Sequence, residues 1–196
     1  MARQARHLPG MLVALAVASS ATGASAETWF AGPYSFSDEL GGFVIRGASG
    51  SGSKDDPIVI EQEMLSASPV TLVVRVTVEL RPLGAPGSTG MLHMRLRSLN
   101  NSGIAWTEYE FELQTRLGEP SVFGDGISFD QRRSEPGNRS SDLFKIHDTN
   151  FEPYDRLLFS KGSVDPNQTA GFSFFITDFT PRWLFYIRQD PRIPLS

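Results

Sequence analysis

In the stretch PVTLVVRVTVELR, residues 69–81, apolar and polar side chains change places at nearly every step. Val70, Leu72, Val74, Val76, Val78 and Leu80 fall on one side; Thr71, Arg75, Thr77, Glu79 and Arg81 fall on the other, and Val73 alone breaks the order. An extended chain points successive side chains to opposite faces, so this spacing predicts a long strand with one face in a core. The period returns in MLHMRLRSL (91–99), with Leu92, Met94 and Leu96 set against His93, Arg95 and Arg97. It returns again in IAWTEYEFELQT (104–115), where Tyr109, Phe111 and Leu113 alternate with Glu108, Glu110 and Glu112. AGFSFFITDF and RWLFYIR, later in the chain, are apolar on both faces, as strands covered on two sides are. Shorter candidates lie at 43–46, 57–63, 143–146 and 156–160.

Between these runs stand RPLGAPGSTG and Asn100-Asn101-Ser102-Gly103, connections whose residues favour turns and break helices. No segment after the first 26 residues sustains a 3.6-residue period. Many short strands joined by Gly, Pro and Asn turns predict an all-β fold, a single antiparallel β-sandwich of jelly-roll or immunoglobulin-like type. The connection at about 118–142 is too long for the hairpins of an up-and-down barrel, which favours the sandwich. In SGSGSKDDPIVIEQE (49–63), Pro57 suits the first position of a strand and the aspartates before it suit a turn. The expectation there is a flexible Gly/Ser loop, an Asp-Asp-Pro turn and then a strand, with Gly50 and Gly52 supplying mobility.

Composition bears on where such a chain works. Arg3, Arg6 and His7, the apolar run MLVALAV and the small residues Ala24-Ser25-Ala26 together have the form of a secretory signal peptide cut before Glu27. The expected organisation is therefore a leader, 1–26, and one domain, 27–196, exported to the periplasm or beyond. Its removal takes away two of 18 basic residues and none of 22 acidic ones, leaving a net charge of −6. That balance disfavours nucleic acid and anionic lipid as partners, and no later run is apolar enough to predict a membrane span. With no cysteine, thiol chemistry and cysteine-based zinc sites are excluded. Asn100, Asn138 and Asn167 head Asn-x-Ser/Thr triplets, acceptors only in a host that glycosylates them.

Three features carry a resemblance. Trp106-Thr107-Glu108-Tyr109 begins a mid-domain strand, GSVDPNQTAGFSFFI (162–176) reads as a late hairpin around a Pro-Asn turn, and FYIRQDPRIP (185–194) reads as a closing strand with a proline-rich exit. In these the chain resembles, over its C-terminal half, secreted bacterial β-sandwich proteins that often carry a PEP-CTERM sorting tail. No Pro-Glu-Pro motif, apolar helix or basic end precedes Ser196, so tail-dependent sorting does not carry over. The resemblance implies an extracytoplasmic sandwich and brings no catalytic residues with it.

Candidate chemistry is sparse. Residues 27–196 hold two histidines, His93 and His147, and no Gly-x-Ser-x-Gly elbow to present a nucleophile. Alternate glutamates such as Glu108, Glu110 and Glu112 stand roughly 6.5–7 Å apart on any strand. That touches the spacing of an inverting glycosidase pair, about 6.5–9.5 Å. The simpler expectation is a solvated ladder paired with Arg95 and Arg97 on a neighbouring strand. The loop 118–142 is rich in carboxylates, and Asp125, Asp130 and Asp142 are its candidate Ca²⁺ ligands; Arg132, Arg133 and Arg139 compete for them. Phe123, Ile127 and Phe129 are expected to pin that loop to the core. Trp29, Trp106 and Trp183 are candidates for a sugar-binding platform.

Three readings of function follow. The first is an exported, non-enzymatic β-sandwich acting as a structural, envelope-associated or protein-interaction module, without a cofactor and with an extracellular or envelope protein or glycan as partner. The alternative is a carbohydrate-binding module stabilised by Ca²⁺, and the third is a hydrolase.

Overall fold

A computed structural model describes residues 27–81, 89–129 and 138–193. The segment 1–26, expected to be a leader, lies outside the described residues. From the N-terminal side the strands are β1 (Thr28–Ala31), β2 (Tyr34–Ser37), β3 (Phe43–Ser49), β4 (Ile58–Met64) and β5 (Val70–Val76). There follow β6 (Met91–Asn100), β7 (Glu108–Arg116), β8 (Glu119–Pro120), β9 (Ile127–Ser128) and β10 (Ser140–Ser141). The last four are β11 (Phe144–Asp148), β12 (Arg156–Gly162), β13 (Thr169–Asp178) and β14 (Leu184–Arg192). The one helical element among the described residues is a single 3₁₀ turn, Phe123–Asp125. Among the described residues no helix is long and apolar enough to cross a membrane.

The strands make two sheets. The first runs β1-β2-β5-β14-β7-β12-β11 with β8 added to β7; the second runs β10-β13-β6-β4-β3 with β9 added to β13. Their apolar faces meet in one core. Leu72 and Val74 of β5, Phe111 and Leu113 of β7 and Ile187 of β14 come from the first sheet; Ile58, Leu96 and Phe174 come from the second. Aromatic rings tie the sheets together, with Tyr109 and Phe172 at 4.5 Å and Phe111 and Phe174 at 4.9 Å between centroids. Each such pair adds about 0.5–1.5 kcal/mol beyond its buried area.

One polar device crosses this core. Gln62 of β4 and Gln189 of β14 face each other and exchange amide bonds at 2.6 and 3.1 Å. Gln62 also donates to Ser98 at 2.7 Å, and the Tyr109 hydroxyl donates to Gln189 at 3.0 Å. Both glutamines are almost fully buried, and this mutual satisfaction is what makes their burial tolerable.

The alternation in residues 69–81 outruns the strand it encodes. β5 stops at Val76, whose N–H donates to Trp183, and Thr77 donates to Pro33. Beyond that point β2 and β14 have ended, so Val78 lies outside the strand ladders and is exposed. Val73 is buried but stands outside the main core, level with Ser37 and Tyr186 on the outer side of the sheet.

One ladder departs from the antiparallel arrangement expected throughout: β4 and β6 run parallel, from Ile58 opposite Met94 to Met64 opposite Asn100. The chain leaves β4, lays β5 into the opposite sheet, and returns as β6. Parallel neighbours need a crossover, and here a strand of the facing sheet serves as one. All other ladders among the described residues are antiparallel.

Candidate functional site

The segment between β3 and β4 is an ordered turn, and mobility is not what its glycines supply. The Asp56 carbonyl accepts from Ser51 N at 3.1 Å and Gly52 N at 2.9 Å, while Ser53 Oγ accepts from Asp56 N at 3.1 Å. Gly50 has φ +92, and a Cβ there would lie 2.0 Å from the Pro57 carbonyl oxygen. Gly52, at φ +87, is buried against Leu92, and its carbonyl accepts from His93 N at 2.9 Å. The turn is thereby fastened to the start of β6.

Fastened there, residues 51–54 form one wall of a cleft of about 500 Å³ over the outer face of the second sheet. His93 of β6 and Phe175 of β13 stand opposite each other in the ladder, and their rings stack at 4.1 Å and 18°. With Met91 and Pro33 they give an apolar floor; Ser51, Ser53, Lys54 and Asn138 give a polar margin. Tyr34 closes one side, its hydroxyl committed to the Thr89 carbonyl. Burial, with a smaller contribution from the Asp178 charge, holds that phenol well above its usual range. A smaller depression of about 210 Å³ lies further along the same face, where the arginines already have partners: Arg46 with Glu63 at 2.6 Å and Arg97 with Glu61 at 2.9 Å.

Of the carboxylates singled out for Ca²⁺, the two described, Asp125 and Asp142, stand apart. Asp125 accepts from Ser121 Oγ at 3.0 Å and from Val122 N and Ile127 N, each at 3.2 Å. Asp142 accepts from Gly171 N at 2.8 Å. Ile127 is level with Asp178 on β13, so the two carboxylates flank positions seven residues apart, roughly 20 Å by strand rise. Asp130 lies outside the described residues. Among the described residues no three His, Asp or Glu side chains gather to hold a metal ion. Ile127 and Phe129 are buried in the core as expected, and the Phe123 side chain lies outside the described residues.

The glutamate ladder does face outward on β7, yet Glu110 and Glu112 are only 3 % exposed. Their partners are not Arg95 and Arg97, which are in the other sheet. Arg192 Nη2 reaches Glu110 at 2.7 Å, and Arg156 reaches Glu112 at 2.6 Å from the flanking strands β14 and β12. Burial raises the Glu110 carboxyl above its usual range, and the Arg192 and Arg156 charges pull against that.

His147 lies at the edge of the first sheet, on a different sheet from His93, and burial together with the Arg139 charge lowers its pKa. The three tryptophans do not share a surface: Trp106 is fully buried, Trp29 packs against the core, and Trp183 is 58 % exposed in the turn after β13. Asn100 is buried with its amide donating to the Ile104 and Val164 carbonyls, both at 2.9 Å, so it serves the fold.

His93 and Phe175 were each visible as strand residues, but 82 positions separate them, and only the register between β6 and β13 makes them neighbours. Comparison of the chain with protein-family models, curated proteins and solved structures found no match.

Proposed function

We propose that this chain is an exported, non-enzymatic binding module of β-sandwich form, freed of its leader at Ala26, which holds a ligand in the cleft over His93 and Phe175. The observation that carries the reading is the make-up of that cleft: a stacked, apolar floor beside hydroxyl, amide and ammonium groups. Ligand sites of this size, about 300–1,000 Å³, pair apolar walls with a few placed polar groups. A sugar ring has the matching chemistry, with a C–H face for the floor and hydroxyls for the margin. A short glycan is therefore the ligand class assigned, and turnover is not part of the assignment.

The test is a two-dimensional NMR titration of residues 27–196 with a panel of oligosaccharides. Shifts should concentrate at Ser51–Lys54, His93 and Phe175, and His93→Ala should weaken binding by at least about tenfold, some 1.4 kcal/mol. Oligosaccharide recovered intact after prolonged incubation fits a binder; cleavage products would make the protein an enzyme. Shifts confined to another surface would remove the cleft from consideration. A second reading, docking of an envelope protein, is favoured by Phe179 and Trp183, about half-exposed in one turn between β13 and β14.

A further inference from the structure

We propose that the ligand of the cleft is an acidic glycan, whose carboxylate or sulfate is taken by Arg95 with Ser173 and Ser140 beside it. The inference rests on the cleft reading given above and extends it along the outer face of the second sheet. On β6, Arg95 follows His93 by two residues, about 6.5–7 Å by strand rise, on the same outward face. Ser173 of β13 stands opposite Arg95, and Ser140 of β10 stands opposite Ser173. A guanidinium and two hydroxyls thus make one row across three strands, next to the row of His93 and Phe175.

What sets this row apart is that its polar groups are uncommitted. Arg46 and Arg97, on the same face, each hold a carboxylate, Glu63 at 2.6 Å and Glu61 at 2.9 Å. Arg95 is exposed, and among the described residues nothing takes its guanidinium in a hydrogen bond or ion pair. The same holds for the hydroxyls of Ser140 and Ser173. Gly171 offers no side chain, and the guanidinium lies back over it: a Cβ there would stand 3.5 Å from Arg95 Nη2. The Asp142 carboxylate also lies over Gly171, but it accepts the Gly171 N–H at 2.8 Å and makes no ion pair with Arg95.

A guanidinium presents its N–H donors as a planar fork, the match for two oxygens of a carboxylate or sulfate. Serine hydroxyls can donate to the oxygens that remain. A neutral sugar laid on the His93–Phe175 floor uses none of these groups. A sugar with an acid at its edge reaches them, directly or through the next unit of its chain. One guanidinium suits an isolated anionic group; nucleic acid calls for a basic stripe, which the described residues of this face do not supply.

Calorimetric titration of the purified protein tests this with paired probes: oligouronates as free acids and as methyl esters, and sulfated oligosaccharides with their unsulfated parents. At least one acid should bind about tenfold or more tightly than its neutral partner, as a hydrogen bond to a charged group allows. Arg95→Ala should then bring the two affinities level, while Arg95→Lys, which keeps the charge without the fork, should retain part of the difference. The pair that shows the preference tells carboxylate from sulfate. Equal affinity within every pair, with NMR shifts still at His93 and Phe175, overturns the acidic assignment and leaves the cleft reading in place. A preference that survives Arg95→Ala also overturns it, since another group would then hold the anion. No binding of acidic or neutral probes overturns both.

Discussion

Glu110 and Glu112 carry a lesson about the single residue. Alternation places them correctly on the outer face of β7, but it is silent on what lies across that face. Arginines from both flanking strands fold over them and take their charge out of water. A buried carboxylate whose partner is removed is costly, whereas a neutral isostere in its place often is not. Glu110→Gln is accordingly expected to change stability by less than about 1 kcal/mol at pH 7, since burial already works against its charge. Arg156→Ala should cost about 2 kcal/mol, discounted from the fully buried case because Arg156 is 31 % exposed, and it strands Glu112 without its cation. Urea denaturation of the two variants beside the parent separates these outcomes; equal losses would mean that the arginines merely lie over a solvated ladder.

Strands and turns were legible to different degrees. β5, β6, β7, β13 and β14 could be read from period and length, because each buries one regular face or two. β1 and β2, four residues each, show too little alternation to stand out, and all four residues of β2 are buried. The end of β5 could not be read, since it is decided by where its neighbours stop. Partnership is the larger gap: a periodic strand announces its buried face but not which strand lies beside it. The cleft depends on partnership twice, through His93 opposite Phe175 and through the 49–57 turn bonded to β6. At that turn, Gly50→Ala meets both a left-handed φ and the Pro57 carbonyl 2.0 Å from the new carbon. It should lower stability by about 2 kcal/mol or more and disturb the cleft wall. A thermal melt unchanged by this substitution would contradict the turn as described.

For the whole molecule, the acids buried in the interior set the response to pH. Asp155 is held at about 6, and burial also raises Asp178 and Glu110. Each of these groups binds its proton more tightly in the folded chain than in the unfolded one, so stability falls as pH rises through the window from about 4 to about 6 and then levels off. For Asp155 alone, from 3.8 to about 6, the loss is about 3 kcal/mol. Glu39 and Glu63 shift the other way through Arg75 and Arg46, but those pairs are largely exposed and contribute little. The melting temperature is therefore expected to be higher at pH 5 than at pH 8, and calorimetry across that range checks it. A protein more stable at pH 8 would mean that its buried carboxyls ionise at ordinary values.

The parallel pairing of β4 with β6 has a kinetic meaning. β4 cannot meet its neighbour until the chain has travelled into the facing sheet and back, so neither sheet can be completed first and offered to the other as a template. Closure of such distant segments consumes chain entropy before it yields contacts, which places folding among the slow, non-local routes of β-proteins, on the order of milliseconds to seconds. Until that crossing is made, β3 and β4 form a lone hairpin with an open edge, the surface on which two unfinished chains would most readily find each other.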